Sequence, residues 1–267
     1  ITDKYIKYKY PQYFSPEIRP FINEKWFLQY VKNNTVISPE QFFDEIRKDL
    51  PENFYENRKK GEKDSYICEL IRNDSVEEFI ICLNENKYSV NSIINDISLY
   101  ETNSFLLKNA KISLIEYAVF FGSIQIIRYL KYNKVELKSS LWIYAIYSQN
   151  AELIHFLEEN SVQVPDFSRI LKECIKCHHN EFANYFKENY LEDENINDIL
   201  INCLKYYNFI YIQKNQITKS LFFYCCKYDY YLFVNYLFNK IHIDINKSNT
   251  LLTILIINIY EIHIFYI

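Results

Sequence analysis

The sequence predicts an all-α chain, a helical solenoid of two-helix repeats behind a helical N-terminal cap. Two observations carry that reading. The 267-residue chain repeats itself at offsets of 27 to 29 residues. Within each strong copy the apolar residues fall at i, i+1 and i+4, one stripe of a helix: Ile126, Ile127 and Leu130 in one copy, Leu153, Ile154 and Leu157 in the next. A single two-helix unit cannot bury its apolar face alone, whereas a stack of them makes a continuous core.

Residues 1–62 lie outside the repeat and read as a helical cap and linker. YKYPQYFSPEIRP is broken by Pro11, Pro16 and Pro20, each incompatible with a helix interior. KWFLQYV, from Lys25, predicts a short helix. Ser38-Pro39-Glu40-Gln41 then combines an N-cap serine, proline at the first helical position and glutamine three residues after the cap, a strong helix start. EQFFDEIRKDL is expected to be helical up to Pro51. The basic run RKKGEK, 58–63, contains its own acid and reads as a solvated linker rather than a binding patch.

Residues 63–267 form the repeat array, with strong copies near 113–133, 140–160, 169–189 and 220–239 and weak ones near 69–86, 199–212 and 250–267. Ala118 falls on Ala145, Leu130 on Leu157 and Asn133 on Asn160 at a constant offset of 27. An offset of 29 carries Ala145 to Cys174, Leu157 to Phe186 and Asn160 to Asn189. The copy from Ser220 overlays that from Ser113, matching Tyr117 with Tyr224 and Ile127 with Val234. ELIRNDSVEEFIICLNEN, from Glu69, keeps the acid-rich second half, and ILINCLKYYNFIYI, from Ile199, only the first. One column of the first helices, Ala118, Ala145, Cys174, Cys203 and Cys225, is always small. Neighbouring repeats are expected to press backbone against backbone there.

SLIEYAVFFGSIQIIRYL, 113–130, resembles the ankyrin pattern T-P-L-H-x-A-A-x-x-G-H-x-E-I-V-x-x-L, with Ser113, Ile115, Ala118, Gly122, Ile126, Ile127 and Leu130 at matching places. Through LPENFYENRKKGE, YICELIRNDSVEEFI, LIEYAVFFGSIQI and ECIKCHHNE, residues 38–246 resemble a group of divergent ankyrin-repeat proteins expanded in parasitic protists. The resemblance implies an ankyrin-like scaffold for protein binding and no catalysis. Copies of 27 to 29 residues against about 33 for ankyrin, with the pattern's proline missing from every copy, imply shortened hairpin connections.

The stretch CIKCHH, 174–179, fits a covalent haem pattern and half of a zinc site. The repeat explains each landmark instead. Cys174 holds the small column, where a free cysteine packs as a small apolar residue. His178 falls on the column of Gly122 and Asp229, at the turn closing the first helix, where positive φ suits Gly first and Asn, Asp or His next. His179 takes the column of Ser123 and Asn150. Haem would also want an oxidising compartment and a second axial ligand such as Met, and the chain has no methionine. Zinc would want four ligands, with Cys203 on the next repeat the one nearby thiol, about 8 to 10 Å away across packed helices. No cofactor or metal is expected.

Other chemistry finds no support. Two glycines, Gly61 and Gly122, leave no phosphate-cradling loop, dinucleotide fingerprint or nucleophile elbow. Net charge of −4 and a pI near 5.8 give no basic face for nucleic acid. Glu77 with Glu78 and Glu158 with Glu159 point to different sides of a helix and read as solvated. Cys225 and Cys226 are adjacent, with no histidine close by in sequence to activate them. Seven scattered cysteines with no signal peptide ahead of them fit a reducing intracellular compartment, the cytoplasm. The apolar stretch at 251–267 is interrupted by Asn258, Glu261 and His263 and is short for a membrane span of about 20 residues. The missing initiator methionine suggests a fragment, a processed chain or a damaged reading frame.

The expected function is a non-enzymatic scaffold for an unknown protein partner, held on the solvent-facing, concave side of the first helices. Projecting the ankyrin pattern gives Tyr117, Phe120, Tyr144, Tyr147, Glu173, Lys176, Tyr224, Lys227 and Tyr228 as that face. Tyrosine suits it, offering contact area with a wet hydroxyl. The alternative is a truncated remnant with no partner of its own, and a zinc- or thiol-dependent protein is a distant third.

Overall fold

A computed structural model of the chain describes residues 15–18, 50–94, 98–109, 111–190, 196–211, 219–228 and 230–234. The helices expected over 25–31 and 40–50 and the weak copy at 250–267 lie outside these. Among the described residues helices dominate, and the one sheet is a two-residue antiparallel pair. The chain divides into two compact units, Ile1–Ala118 with Gln125–Val135, and Val119–Ile124 with Glu136–Ile267.

In the first unit α1 (Ser15–Ile18) is tied to α2 (Phe54–Lys60): Arg58 Nε donates to Glu17 Oε1 at 2.7 Å and Tyr55 Oη to the Pro16 carbonyl at 3.2 Å. Gly61, at φ 69°, closes α2 in the left-handed conformation, and its carbonyl accepts from Thr102 N at 3.1 Å. The run expected to be a solvated linker is therefore part of the packing. Arg58 and Lys63 are 6% and 4% exposed. Arg58 sits one turn after Phe54, over its ring, and its Nη1 donates to the Leu99 carbonyl. The glycine turn then brings Lys63 in near Glu101, itself buried.

Next come α3 (Tyr66–Arg72) and α4 (Val76–Glu85), a complete helix pair where the sequence kept only a recognisable second half. Between α4 and α6 lie β1 (Ile93–Ile94), α5 (Ser104–Lys108) and β2 (Ile112–Ser113), with Ile93 paired to Ser113 and Ile94 to Ile112. No repeat covers this segment. It departs from the all-α expectation by that one strand pair. Asn103 caps α5 through Phe105 N at 2.9 Å, which seats Leu106 in the core. Ser113 starts α6 (Leu114–Phe121) with a capping box, its N and Oγ donating to Glu116 Oε2 at 3.0 and 2.8 Å. Asp74 accepts from Gln125 N and Ile126 N, both at 3.0 Å, capping the start of α7 (Ile124–Tyr132) from a neighbouring turn.

The second unit continues with α8 (Leu141–Ser148), α9 (Ala151–Glu159), α10 (Phe167–Lys176), α11 (Asn180–Tyr190), α12 (Ile196–Lys205) and α13 (Lys219–Lys227). α8 packs on α9 and α10 on α11, while α8 also meets α10, α10 meets α12 and α12 meets α13. The first helices thus lie side by side in chain order. The small column lines this core: Ala145, Cys174, Cys203 and Cys225 are all 0% exposed.

The turns show the repeat in backbone geometry. Positive φ recurs at Gly122, Gln149, His178 and Tyr207, at the 27- and 29-residue intervals of the sequence. Amides just past these turns reach back five residues: His179 N to Cys174 O and Asn208 N to Cys203 O, and Tyr230 N likewise to Cys225 O, each at 2.9 Å, the bond that satisfies an orphan carbonyl at a helix end. Second helices close alike, with positive φ at Lys87, Lys134 and Ser161. Just before them Asn86, Asn133 and Asn160 fold back, each Nδ2 donating to the carbonyl four residues earlier at 2.9, 2.9 and 2.7 Å. Asn189 does the same to Tyr185 at 2.8 Å. This is the physical content of the asparagine column.

Candidate interaction surface

Three first helices of the second unit, α10, α12 and α13, bury the small column and leave other positions open to solvent. On α10 the buried residues are Ile170, Leu171, Cys174 and Ile175, so Arg169, Lys172, Glu173 and Lys176 form the outer stripe. α12 buries Ile199, Leu200, Cys203 and Leu204 and exposes Lys205; α13 buries Leu221, Phe222, Cys225 and Cys226 and exposes Lys227. Two residues after the small column, three adjacent helices present lysine: Lys176, Lys205 and Lys227.

Aromatic rings accompany each lysine. Lys176 Nζ donates to Tyr147 Oη and to Glu173 Oε2, both at 2.7 Å, and the Tyr147 hydroxyl donates to the same Glu173 oxygen at 3.0 Å. Phe120 stacks on the Tyr147 ring at 5.6 Å. Lys205 lies 5.3 Å from the Tyr206 centroid, and Lys227 lies 5.9 and 5.8 Å from those of Tyr224 and Tyr228. These are cation–π distances. Among the described residues no ion pair joins Lys205 or Lys227 to a carboxylate.

Charge is segregated within this unit. Among the described side chains, α10, α12 and α13 carry five cations, Arg169, Lys172, Lys176, Lys205 and Lys227, against Glu173 and Asp198. α9 and α11 carry Glu152, Glu158, Glu159, Glu181 and Glu188 against Lys187. A chain with net charge −4 therefore holds a basic strip along its first helices.

The structure divides the nine residues projected from the sequence. Tyr147, Glu173, Lys176, Tyr224, Lys227 and Tyr228 are half-buried or exposed. Tyr117, Phe120 and Tyr144 are 0%, 8% and 6% exposed and do not face solvent as expected. Tyr117 Oη accepts from Arg72 Nη1 at 3.0 Å inside the first unit, where burial pushes its hydroxyl well above the ordinary tyrosine range. Tyr144 lies on α8, whose residues from Leu141 to Ile146 are all buried. Lys205 was missed. Its copy is weak, but its place two residues after Cys203 carries the signal.

CIKCHH resolves into packing and turn. Cys174 is fully buried, and His178 takes φ 61° with Nε2 donating to the Tyr206 carbonyl at 2.9 Å. His179 lies 3.0 Å from Gln149 Nε2, and burial, with the neighbouring His178, lowers its pKa. Burial raises the thiols of Cys68, Cys174 and Cys177, and pushes Cys203 and Cys225 up to about 12 and Cys226 to about 11. Among the described residues no three His, Cys, Asp or Glu side chains converge as metal ligands, and no helix is long and apolar enough to cross a membrane.

The carboxylates also split. Glu77 and Glu78 are exposed as expected. Glu158 is not simply solvated, because Oε1 accepts from the Tyr185 and Tyr190 hydroxyls, both at 2.6 Å.

No family model matches the chain, and comparison with curated proteins and with solved structures finds no significant match.

Proposed function

We propose that the chain is a non-enzymatic, ankyrin-like interaction scaffold that holds a protein partner along the outer stripe of its first helices. The observation that carries this reading is the row α10, α12 and α13, three packed first helices that each carry a lysine beside tyrosine rings, exposed at Lys205 and Lys227 and half-buried at Lys176. Stacked repeats suit extended surfaces of this kind, and tyrosine is among the residues enriched in binding hot spots. The raised thiols favour packing over nucleophilic chemistry, since the thiolate is the reactive form.

Selection of peptide ligands by display against the full chain tests the reading. Selected ligands are expected to bind a Y224A/Y228A variant at least tenfold more weakly, with the variant's helical signal unchanged. Ligands indifferent to both tyrosines, or no selected ligand at all, would overturn it.

A further inference from the structure

From the geometry of the basic strip, and resting on the scaffold reading above, we infer that the partner is an acidic, extended protein segment whose carboxylates seat on Lys205 and Lys227 and, at the edge, on Lys176. Three features argue for it. The exposed side chains of Lys205 and Lys227 have tyrosine rings as neighbours and, among the described residues, form no ion pair with a carboxylate. Lys176 already shares Glu173 with Tyr147, so it offers less to a ligand. The strip's sign is opposite to that of the whole chain, which leaves it as the place where an acidic partner gains most from charge.

Spacing selects the segment's form. Adjacent packed helices lie about 8 to 10 Å apart, and one lysine per helix repeats at roughly that interval. A polyproline II segment turns once every three residues with a rise of about 3.1 Å per residue. Acids at every third position therefore share one face at about 9 Å, in step with the lysines. The rings beside each lysine suit the same backbone, because such segments dock on aromatic-lined surfaces. Nucleic acid fits less well. A phosphate backbone rewards a sustained basic face, and here one lysine per repeat is followed by second helices rich in glutamate.

The test is fluorescence anisotropy of the full chain with a labelled peptide of four Asp-Pro-Ala units, against its Asn-Pro-Ala counterpart and a twelve-residue single-stranded oligothymidine. The aspartyl peptide is expected to bind at least tenfold tighter than the asparaginyl one. K205E/K227E should weaken it at least tenfold. K138E/K187E, the same charge change at exposed positions of the same unit off the strip, should alter it less than twofold. Circular dichroism of both variants should match the wild type, since all four lysines are at the surface. No binding of the aspartyl peptide, or equal loss in both double variants, would overturn the inference. Oligothymidine binding tighter than the peptide through the same two lysines would also overturn it, in favour of a nucleic-acid surface. Display-selected ligands that need Tyr224 and Tyr228 but are neutral and ignore K205E/K227E would sink the acidic partner and leave the scaffold standing.

Discussion

Asn208 gives the sharpest test of how successive repeats are joined. Its side chain is 3% exposed, and Nδ2 donates to the Ile175 carbonyl at 2.9 Å and to Asn180 Oδ1 at 2.8 Å, both in the preceding repeat. Asn208→Ala removes both bonds. The Ile175 carbonyl still accepts from His178 N at 3.2 Å, so the main loss is two neutral hydrogen bonds at about 1 kcal/mol each. The expected destabilisation is about 2 kcal/mol. Asn208→Asp should be worse, because it replaces the donor with a buried carboxylate facing two acceptors. Urea unfolding can be followed through Trp142, which is buried in the second unit, in a W26F background that leaves it as the single tryptophan. With a urea m-value of about 2 kcal/mol/M, the midpoint should fall by about 1 M at unchanged slope for Asn208→Ala. Midpoints within about 0.2 M of the parent for both variants would refute the joint.

Three further outcomes are expected. Gly61→Ala places a Cβ 2.2 Å from Thr102 Oγ1 at a φ of +69°, so thermal unfolding should show a loss of at least about 1–2 kcal/mol; an unchanged melting temperature would contradict the turn. Partial burial of Glu158 raises its pKa, but hydrogen bonds from Tyr185, Tyr190 and His155 outweigh that and hold it below its ordinary value of 4.5. Its contribution is therefore complete above that pH and lost as pH falls through the lower folded value. Glu158→Gln should lose about 1–2 kcal/mol near neutrality and converge with the wild type in acid, and a parallel pH profile would count against the cluster. A thiol reagent at pH 7.5 should modify native Cys177 alone, since the other six cysteines are buried, and all seven after denaturation; rapid native labelling of Cys174 or Cys203 would break the packing account.

What could be read from sequence was whatever periodicity alone controls. The small column and the His178 turn depend on position within one repeat, so spacing located them. Burial of Tyr117 and Tyr144 depends on what covers the opposite side of α6 and α8, and nothing in their own spacing reports it. Arg58 and Lys63 looked solvated because charge usually is; their burial needs Glu17, Leu99 and Glu101, all more than 35 residues away in sequence. Lys205 was hidden by the degeneration around it, although its column survives. The nonrepeating segment that carries β1, α5 and β2 offers no internal copy for comparison.

That segment also sets the order in which the chain can fold as it is synthesised. Bonds between successive copies of the second unit span about thirty residues, as between Gln149 and His179 or Ile175 and Asn208. Each can close soon after the next helix pair emerges. In the first unit Gly61 waits for Thr102, Arg72 for Tyr117 and Asp74 for Ile126. A nascent chain halted near residue 90 would hold α1 to α4 with Arg58 lacking the Leu99 carbonyl and Lys63 lacking Glu101, so the first unit is expected to close over longer stretches of chain than the repeats that follow it.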